Sequence, residues 1–294
     1  MTLDIEGKTA LVTGAGSGIC LAFAQQLLQR GCNVVITDLA LRPEAEETIK
    51  KYSNGKPKAT FVKTDVTDWT QLQAAFDAAI DEFGSLDIVC PGAGIFEPVP
   101  TSFWTYPSPI DTLEASSYKT LDVNLQSPIR CTQLAIDFFV RQGHKHGVVL
   151  HISSTAAQLP APPIPLYATS KAAISHFVRS LGALQQILGI KVVAVAPGTT
   201  ETPLWDDSGR RGYVDEGKGD VYITAAEVAG CMVKMVTEDE HEGGTVLEIA
   251  KAQTRRIEAV NDPGPDMTVK GISMSNLDMA AGQMMESIGK SFGK

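Results

Sequence analysis

Short apolar runs rich in Val and Ile at residues 9–13, 33–37, 60–64, 86–90, 148–152, 191–196 and 245–249 alternate with longer segments of helical periodicity. The helical segments lie near 18–30, 43–52, 70–83, 116–142, 166–188 and 225–237. The runs are apolar almost throughout instead of alternating with polar residues. A strand of that kind has both faces covered, which is the condition of a parallel sheet. Strand–helix alternation over this length predicts a doubly wound α/β domain: a seven-stranded parallel sheet with helices on both faces. We assign this single domain to residues 1–250. Residues 251–294 form a C-terminal tail rich in Met, Gly and Ser after Asp262-Pro263-Gly264-Pro265. The apolar Met274, Leu277, Met279, Met284, Met285 and Ile288 leave two readings of that tail: a flexible end, or a segment docked on the pocket or on a partner subunit.

The chain has 294 residues, 44% of them hydrophobic and 20% charged, enough for a full core in one large domain or two small ones. A formal charge of −9 without a Lys/Arg-rich run argues against nucleic acid or an anionic membrane surface as the partner. No apolar run is long enough to span a bilayer. The acidic Met1-Thr2-Leu3-Asp4-Ile5-Glu6 lacks the apolar core of a signal peptide. Cys20, Cys32, Cys90, Cys131 and Cys231 are odd in number and form no Cys-x-x-Cys. They read as reduced core thiols and not as a disulfide or metal framework, so we expect a cytoplasmic protein without a metal.

The first run passes directly into Thr13-Gly14-Ala15-Gly16-Ser17-Gly18-Ile19-Cys20 and then a helix. Glycines at such a turn let the backbone approach a pyrophosphate, and the helix N-terminus offers N–H donors. The context of strand, turn and helix makes this a Rossmann-type dinucleotide site. Asp38 ends the second run, where a carboxylate accepts both hydroxyls of the adenosine ribose and repels a 2′-phosphate. Ser17 and Leu39 supply no compensating positive charge, and Arg42 reads as a solvated start to the next helix. NAD is therefore expected over NADP. Asp65-Val66 either flanks the adenine or caps a strand end.

Tyr167 and Lys171 lie four apart on a predicted helix whose apolar stripe runs through Ile174, Phe177, Val178, Leu181, Leu184 and Leu188. Their polar heads can meet on one face. An ammonium beside a phenol favours the phenolate, so Tyr167 can exchange a proton with an alcohol or carbonyl. Ser154, upstream across a Pro-rich loop, can hold the same oxygen.

Together these residues resemble the short-chain dehydrogenase/reductase family over about residues 6–250. Gly14-x-x-x-Gly18, Asp65, Gly92-Ala93-Gly94, Asn124, Ser154, Tyr167/Lys171 and Pro197-Gly198 stand in the family's order. The resemblance implies an NAD(P)-dependent oxidoreductase with Tyr167 as general acid/base. It implies that Lys171 tunes Tyr167 and holds the nicotinamide ribose, that Ser154 positions the substrate oxygen, and that Asn124 supports a water-linked proton relay. Gly14, Ser17, Gly18, Ile19, Asp38, Asp65, Val66, Gly92, Ala93, Gly94, Thr200 and Thr202 would bind cofactor, with the Pro197–Thr202 loop gripping the carboxamide. A homodimer or homotetramer, built through the helices carrying Asn124 and Tyr167, is implied in the same way.

Three departures stand out. Cys20 occupies the place of the family's third glycine, Pro91-Gly92 replaces two asparagines, and an extended segment with Phe96, Phe103, Trp104 and Tyr106 separates Gly94 from Asn124. We expect a substrate wall from residues 95–117, 155–165 and 203–222, the last with Leu204, Trp205, Tyr213 and Tyr222. That wall suits a bulky, largely apolar secondary alcohol or its ketone. The aromatic insertion resembles that of fungal family members acting on lipids or polycyclic natural products, which implies secondary metabolism. Pro128 denies the carbonyl of Asn124 its helical N–H partner and so frees it for the relay water; alternatively it simply ends a turn of helix. His144 and His146 read as solvated. A reductase or isomerase on the same scaffold, and a non-catalytic nucleotide-binding protein, are the competing functional readings.

Overall fold

The computed structural model of the chain describes residues 3–143, 146–258, 264–272, 275–276, 278–280, 282–283 and 286. His144, Asp262, Pro263, Met274, Leu277, Met284, Met285 and Ile288 lie outside the described residues. The strands are β1 (Thr9–Thr13), β2 (Asn33–Asp38), β3 (Ala59–Lys63), β4 (Ile88–Pro91), β5 (Gly147–Ile152), β6 (Ile190–Pro197), β7 (Thr200–Glu201), β8 (Ile223–Thr224), β9 (Val246–Ala250) and β10 (Gln253–Arg256). The helices are α1 (Gly18–Gln29), α2 (Pro43–Lys51), α3 (Trp69–Phe83), α4 (Lys119–Leu121), α5 (Ser127–Arg141), α6 (Pro165–Ser180), α7 (Leu184–Leu188), α8 (Leu204–Asp207) and α9 (Ala225–Thr237).

The main sheet runs β10-β9-β6-β5-β4-β1-β2-β3. Its pairings are parallel except that β10 is antiparallel to β9. The seven-stranded, wholly parallel expectation is thereby corrected to eight strands with an antiparallel edge. The extra strand reads Gln-Thr-Arg-Arg and is largely exposed, so no apolar run announces it. Strand residues alternate between two cores. Ala10, Val12, Val34 and Ile36 pack with Phe23 and Leu27 of α1 and Met232 of α9. Leu11, Val35 and Val149 pack with Phe76 of α3, Phe139 of α5 and Val178 of α6.

The order reverses at β1, which lies between β2 and β4. Ligands of open α/β sheets bind outside the carboxyl ends of strands at such a reversal, and here that point lies beyond Thr13 and Pro91. β7 and β8 pair separately and bracket the segment that carries α8.

The helix expected over 116–142 is broken into α4, a π-helical turn at Asp122–Gln126, and α5. Pro128 is the second residue of α5, which follows the π-helical turn without a break because Gln126 and Ser127 are themselves helical. The cysteines are unpaired, four of them buried and Cys231 half-buried. No helix among the described residues is long and apolar enough to cross a membrane.

Candidate active site

A cleft of about 740 Å³ opens above the reversal in strand order. Gly14, Ser17, Gly18, Ile19, Asp38, Asp65, Val66, Gly92, Ala93, Gly94, Ser154, Tyr167, Lys171, Pro197, Gly198, Thr200 and Thr202 all line it. Asn124 is buried behind the wall, and its side chain bonds both the N–H and the C=O of Ile95 at 2.8 Å. It therefore fixes the chain entering the insertion, while its own position in the π-helical turn keeps its backbone out of a regular α-helix.

The nucleotide half is shaped by backbone. Gly14 has φ +71°, and a Cβ there would stand 2.6 Å from the Cα of Ala93. The carboxylate of Asp38 folds against the turn, accepting the N–H of Gly16 at 2.9 Å and of Leu39 at 2.7 Å. Ser17 is the N-cap of α1, and its hydroxyl makes no capping bond. Glycine-lined space, a helix N-terminus and a ribose-height carboxylate fit a dinucleotide.

Arg42 is not simply solvated, as its sequence position suggested; its guanidinium grips Asp207 of α8 at 2.7 and 2.9 Å. Asp65 both lines the cleft and caps its strand end. Burial pushes its carboxyl up, but bonds from the hydroxyl and N–H of Thr67 outweigh that and hold it below the ordinary range.

Two of the sequence departures prove to be one arrangement. A Cβ on Gly92 would run into Sγ of Cys20. The thiol thus occupies the space that the glycine leaves, and each residue permits the other.

At the other end Ser154, Tyr167 and Lys171 converge. The Ser154 hydroxyl stands near enough to Tyr167 to favour its phenolate, and the Lys171 ammonium lies 5.5 Å from the centre of the phenol ring. Nζ of Lys171 donates to the carbonyl of Ile152 at 2.8 Å. Burial dominates both groups. It pushes Tyr167 up to about 12, against the opposing effect of Ser154, and Lys171 down to about 8. The lowered Tyr167 expected from sequence is not found, because desolvation disfavours the charged forms of both groups.

Residues 8–211 match the family described as short chain dehydrogenase, more than half of the chain. The chain is a short-chain dehydrogenase/reductase. It is 33% identical over 206 residues to 15-hydroxyprostaglandin dehydrogenase [NAD(+)] of Bos taurus, covering 69% of this chain and 71% of that protein. Cis-4-hydroxycyclohexanecarboxylate dehydrogenase of Sinomonas cyclohexanicum is 33% identical over 198 residues, covering 67% of this chain and 75% of that one. Among solved structures, 3-ketoacyl-(acyl-carrier-protein) reductase from Brucella melitensis, complexed with NADH, superposes with a TM-score of 0.69 at 26% identity, covering 83% of this chain and 97% of that one. Family membership makes this an enzyme of the alcohol dehydrogenase/ketoreductase kind, using a nicotinamide nucleotide.

The substrate half of this dehydrogenase differs in part from expectation. Phe96, Leu204, Trp205 and Tyr213 line the cleft, as do residues 159–164. Phe103 and Tyr106 are exposed, and Phe103 stacks edge-on against Trp104 at 4.9 Å. Trp104 donates its indole N–H to Pro162, bracing the loop from outside. Tyr222 packs behind Trp205. From the C-terminal segment, Pro265, Met267, Ile272 and Asp278 reach the cleft, and Gly271 accepts the N–H of Thr199 at 2.7 Å. Glu97 and Arg210, both buried beside this wall, belong to no sequence motif. A lone acid between Phe96 and Pro98 was the available signal.

Proposed function

We propose that this dehydrogenase interconverts a bulky, largely apolar secondary alcohol and its ketone with NAD, as a cytosolic enzyme of secondary metabolism. The observation that carries this reading is the convergence of Ser154, Tyr167 and Lys171 between a nucleotide half governed by Asp38 and a wall of Phe96, Leu159, Ile164, Trp205 and Ile272. Ser154 holds the substrate oxygen and Tyr167 takes its proton in oxidation or returns it in reduction. Lys171 favours the phenolate and holds the nicotinamide ribose. A bound nicotinamide would supply hydride transfer, and the positive charge of its oxidised form would favour the phenolate of Tyr167. Asn124 supports the chain at the mouth of a proton path. Asp38 favours NAD because it would repel a 2′-phosphate, and Arg42, the one nearby cation in sequence, is engaged by Asp207. The prostaglandin dehydrogenase relative bears NAD in its name, and that name is of an alcohol dehydrogenase. We further infer a homodimer or homotetramer through the outer faces of α5 and α6, where Val140 is exposed; light scattering tests it.

The deciding experiment follows reduced-cofactor formation from NAD and from NADP with cyclohexanol, α-tetralol and testosterone, for wild type and Tyr167→Phe. We expect NAD-dependent oxidation that favours the larger alcohols. Tyr167→Phe should lose on the order of 10²- to 10⁴-fold in turnover, the range of general acid–base catalysis, while still binding NADH. NADH binding without oxidation of any alcohol or reduction of any matching ketone would sink the dehydrogenase assignment.

A further inference from the structure

Helix α6, which carries Tyr167, begins without a cap of its own. Ile164 stands at the N-cap with no side-chain bond and Pro165 follows. An aliphatic N-cap leaves orphan N–H groups in the first turn. The N–H of Tyr167 itself is one of them, and it donates at 2.9 Å to Oε2 of Glu97, 70 positions away. Glu97 is fully buried. Its Oε1 accepts the N–H of Phe103 at 3.1 Å, so both carboxylate oxygens are committed. Its backbone is committed as well. The carbonyl of Glu97 accepts from Nε and Nη2 of Arg210 at 2.9 and 2.8 Å, and Nη1 of Arg210 bonds the hydroxyl of Tyr213 in the substrate wall. These contacts hold Glu97 at φ +42°, a left-handed conformation uncommon for a residue with a side chain. Phe96, the residue before Glu97, packs edge-on against Tyr167 at 4.6 Å and Trp205 at 4.9 Å.

We propose that Glu97 is a positioning residue for the reaction. Its carboxylate replaces the missing cap of α6 and sets the turn from which Tyr167 reaches the substrate oxygen, while its carbonyl, through Arg210, registers the substrate wall to that same turn. The proposal rests on the reading of Tyr167 as the proton-transfer group. A carboxylate at a helix N-terminus also complements the helix dipole. A glutamine offers only one acceptor oxygen, so the N–H of either Tyr167 or Phe103 would face an amide NH₂. The first turn of α6 must then shift, and a displacement of about 1 Å remote from the chemistry can cost up to ~10²-fold in rate.

The test compares Glu97→Gln, Glu97→Gly, Arg210→Gln and Tyr167→Phe with α-tetralol, expressing turnover per NADH-binding site from fluorescence titration. Glycine adopts φ +42° without strain but carries no carboxylate, so it separates backbone from side chain. We expect both Glu97 variants to lose about 10- to 100-fold in kcat per NADH site with NADH affinity unchanged. Arg210→Gln should chiefly raise KM, because the wall loosens while the capping carboxylate stays. Wild-type turnover per site in Glu97→Gln or in Glu97→Gly overturns the proposal. Loss of NADH sites in both variants also overturns it, assigning Glu97 to folding alone. Retained turnover in Tyr167→Phe marks failure of the catalytic reading itself, whatever Glu97 does.

Discussion

In the nucleotide half of the cleft, the chain is held mostly by bonds between adjacent strand ends: Ala15 to Thr37, Gly16 to Asp38, and Ala93 to Thr13. In the substrate half, side chains reach between segments distant in sequence. Arg210 finds Glu97 across 113 positions, Trp104 finds Pro162 across 58, and Ser275 finds Asp220 across 55. The first half is a by-product of the sheet and is as rigid as the sheet. The second depends on a few buried polar anchors, each of which leaves an uncompensated partner when removed. Change is therefore expected to act through sterics in one half and through lost anchors in the other.

The sharpest way to probe the seam between the halves is Lys171→Met. Oxidation uses the phenolate, which burial disfavours, so its rate rises with pH; ketone reduction uses the phenol and falls. Removing the ammonium should move the rise in kcat/KM to higher pH and cost about 10²-fold at neutral pH, the lower range for a tuned acid–base. An unmoved profile would detach Lys171 from the phenol.

In the nucleotide half, Gly92→Ala should destabilise by about 1–3 kcal/mol in urea unfolding, as overpacking does. Cys20→Gly in the same chain should recover part of that loss; additive effects would break the pairing of the two residues.

Pro128→Ala returns an N–H donor to the helix at Asn124. It should raise the barrier to turnover by about 0.5–1.5 kcal/mol, the worth of one hydrogen bond to a relay water, and leave cofactor affinity alone. Unchanged turnover would reduce Pro128 to a helix starter. Smallest of all, Asp207→Asn frees Arg42. The NAD preference over NADP should shift by under about 1 kcal/mol, since the pair is exposed.

The nucleotide half was legible in the sequence because its parts are consecutive. Gly14 to Cys20 follow β1 directly and Asp38 ends β2, so naming the strand places the residue. The apolar runs gave the parallel strands to within a few positions. β10 stayed hidden because an edge strand of Gln253-Thr254-Arg255-Arg256 has no apolar periodicity. Phe103 and Tyr106 fall within the expected wall segment but face outward, since an irregular loop has no period from which to tell inside from outside. Glu97 and Arg210 each read as an ordinary charged residue. Only the fold, by bringing α6, the insertion and the α8 segment together, makes them partners. The balance of burial against Ser154 at Tyr167 is equally a property of the folded site.

The Arg42–Asp207 pair has a kinetic consequence. It joins the rim beside Asp38 to the wall that carries Trp205, so the substrate wall leans on the nucleotide's own loop. A link that spans the two halves should slow whatever motion separates them. Because it is an exposed ion pair, that motion should quicken as ionic strength rises, by no more than the ~1 kcal/mol such a pair is worth.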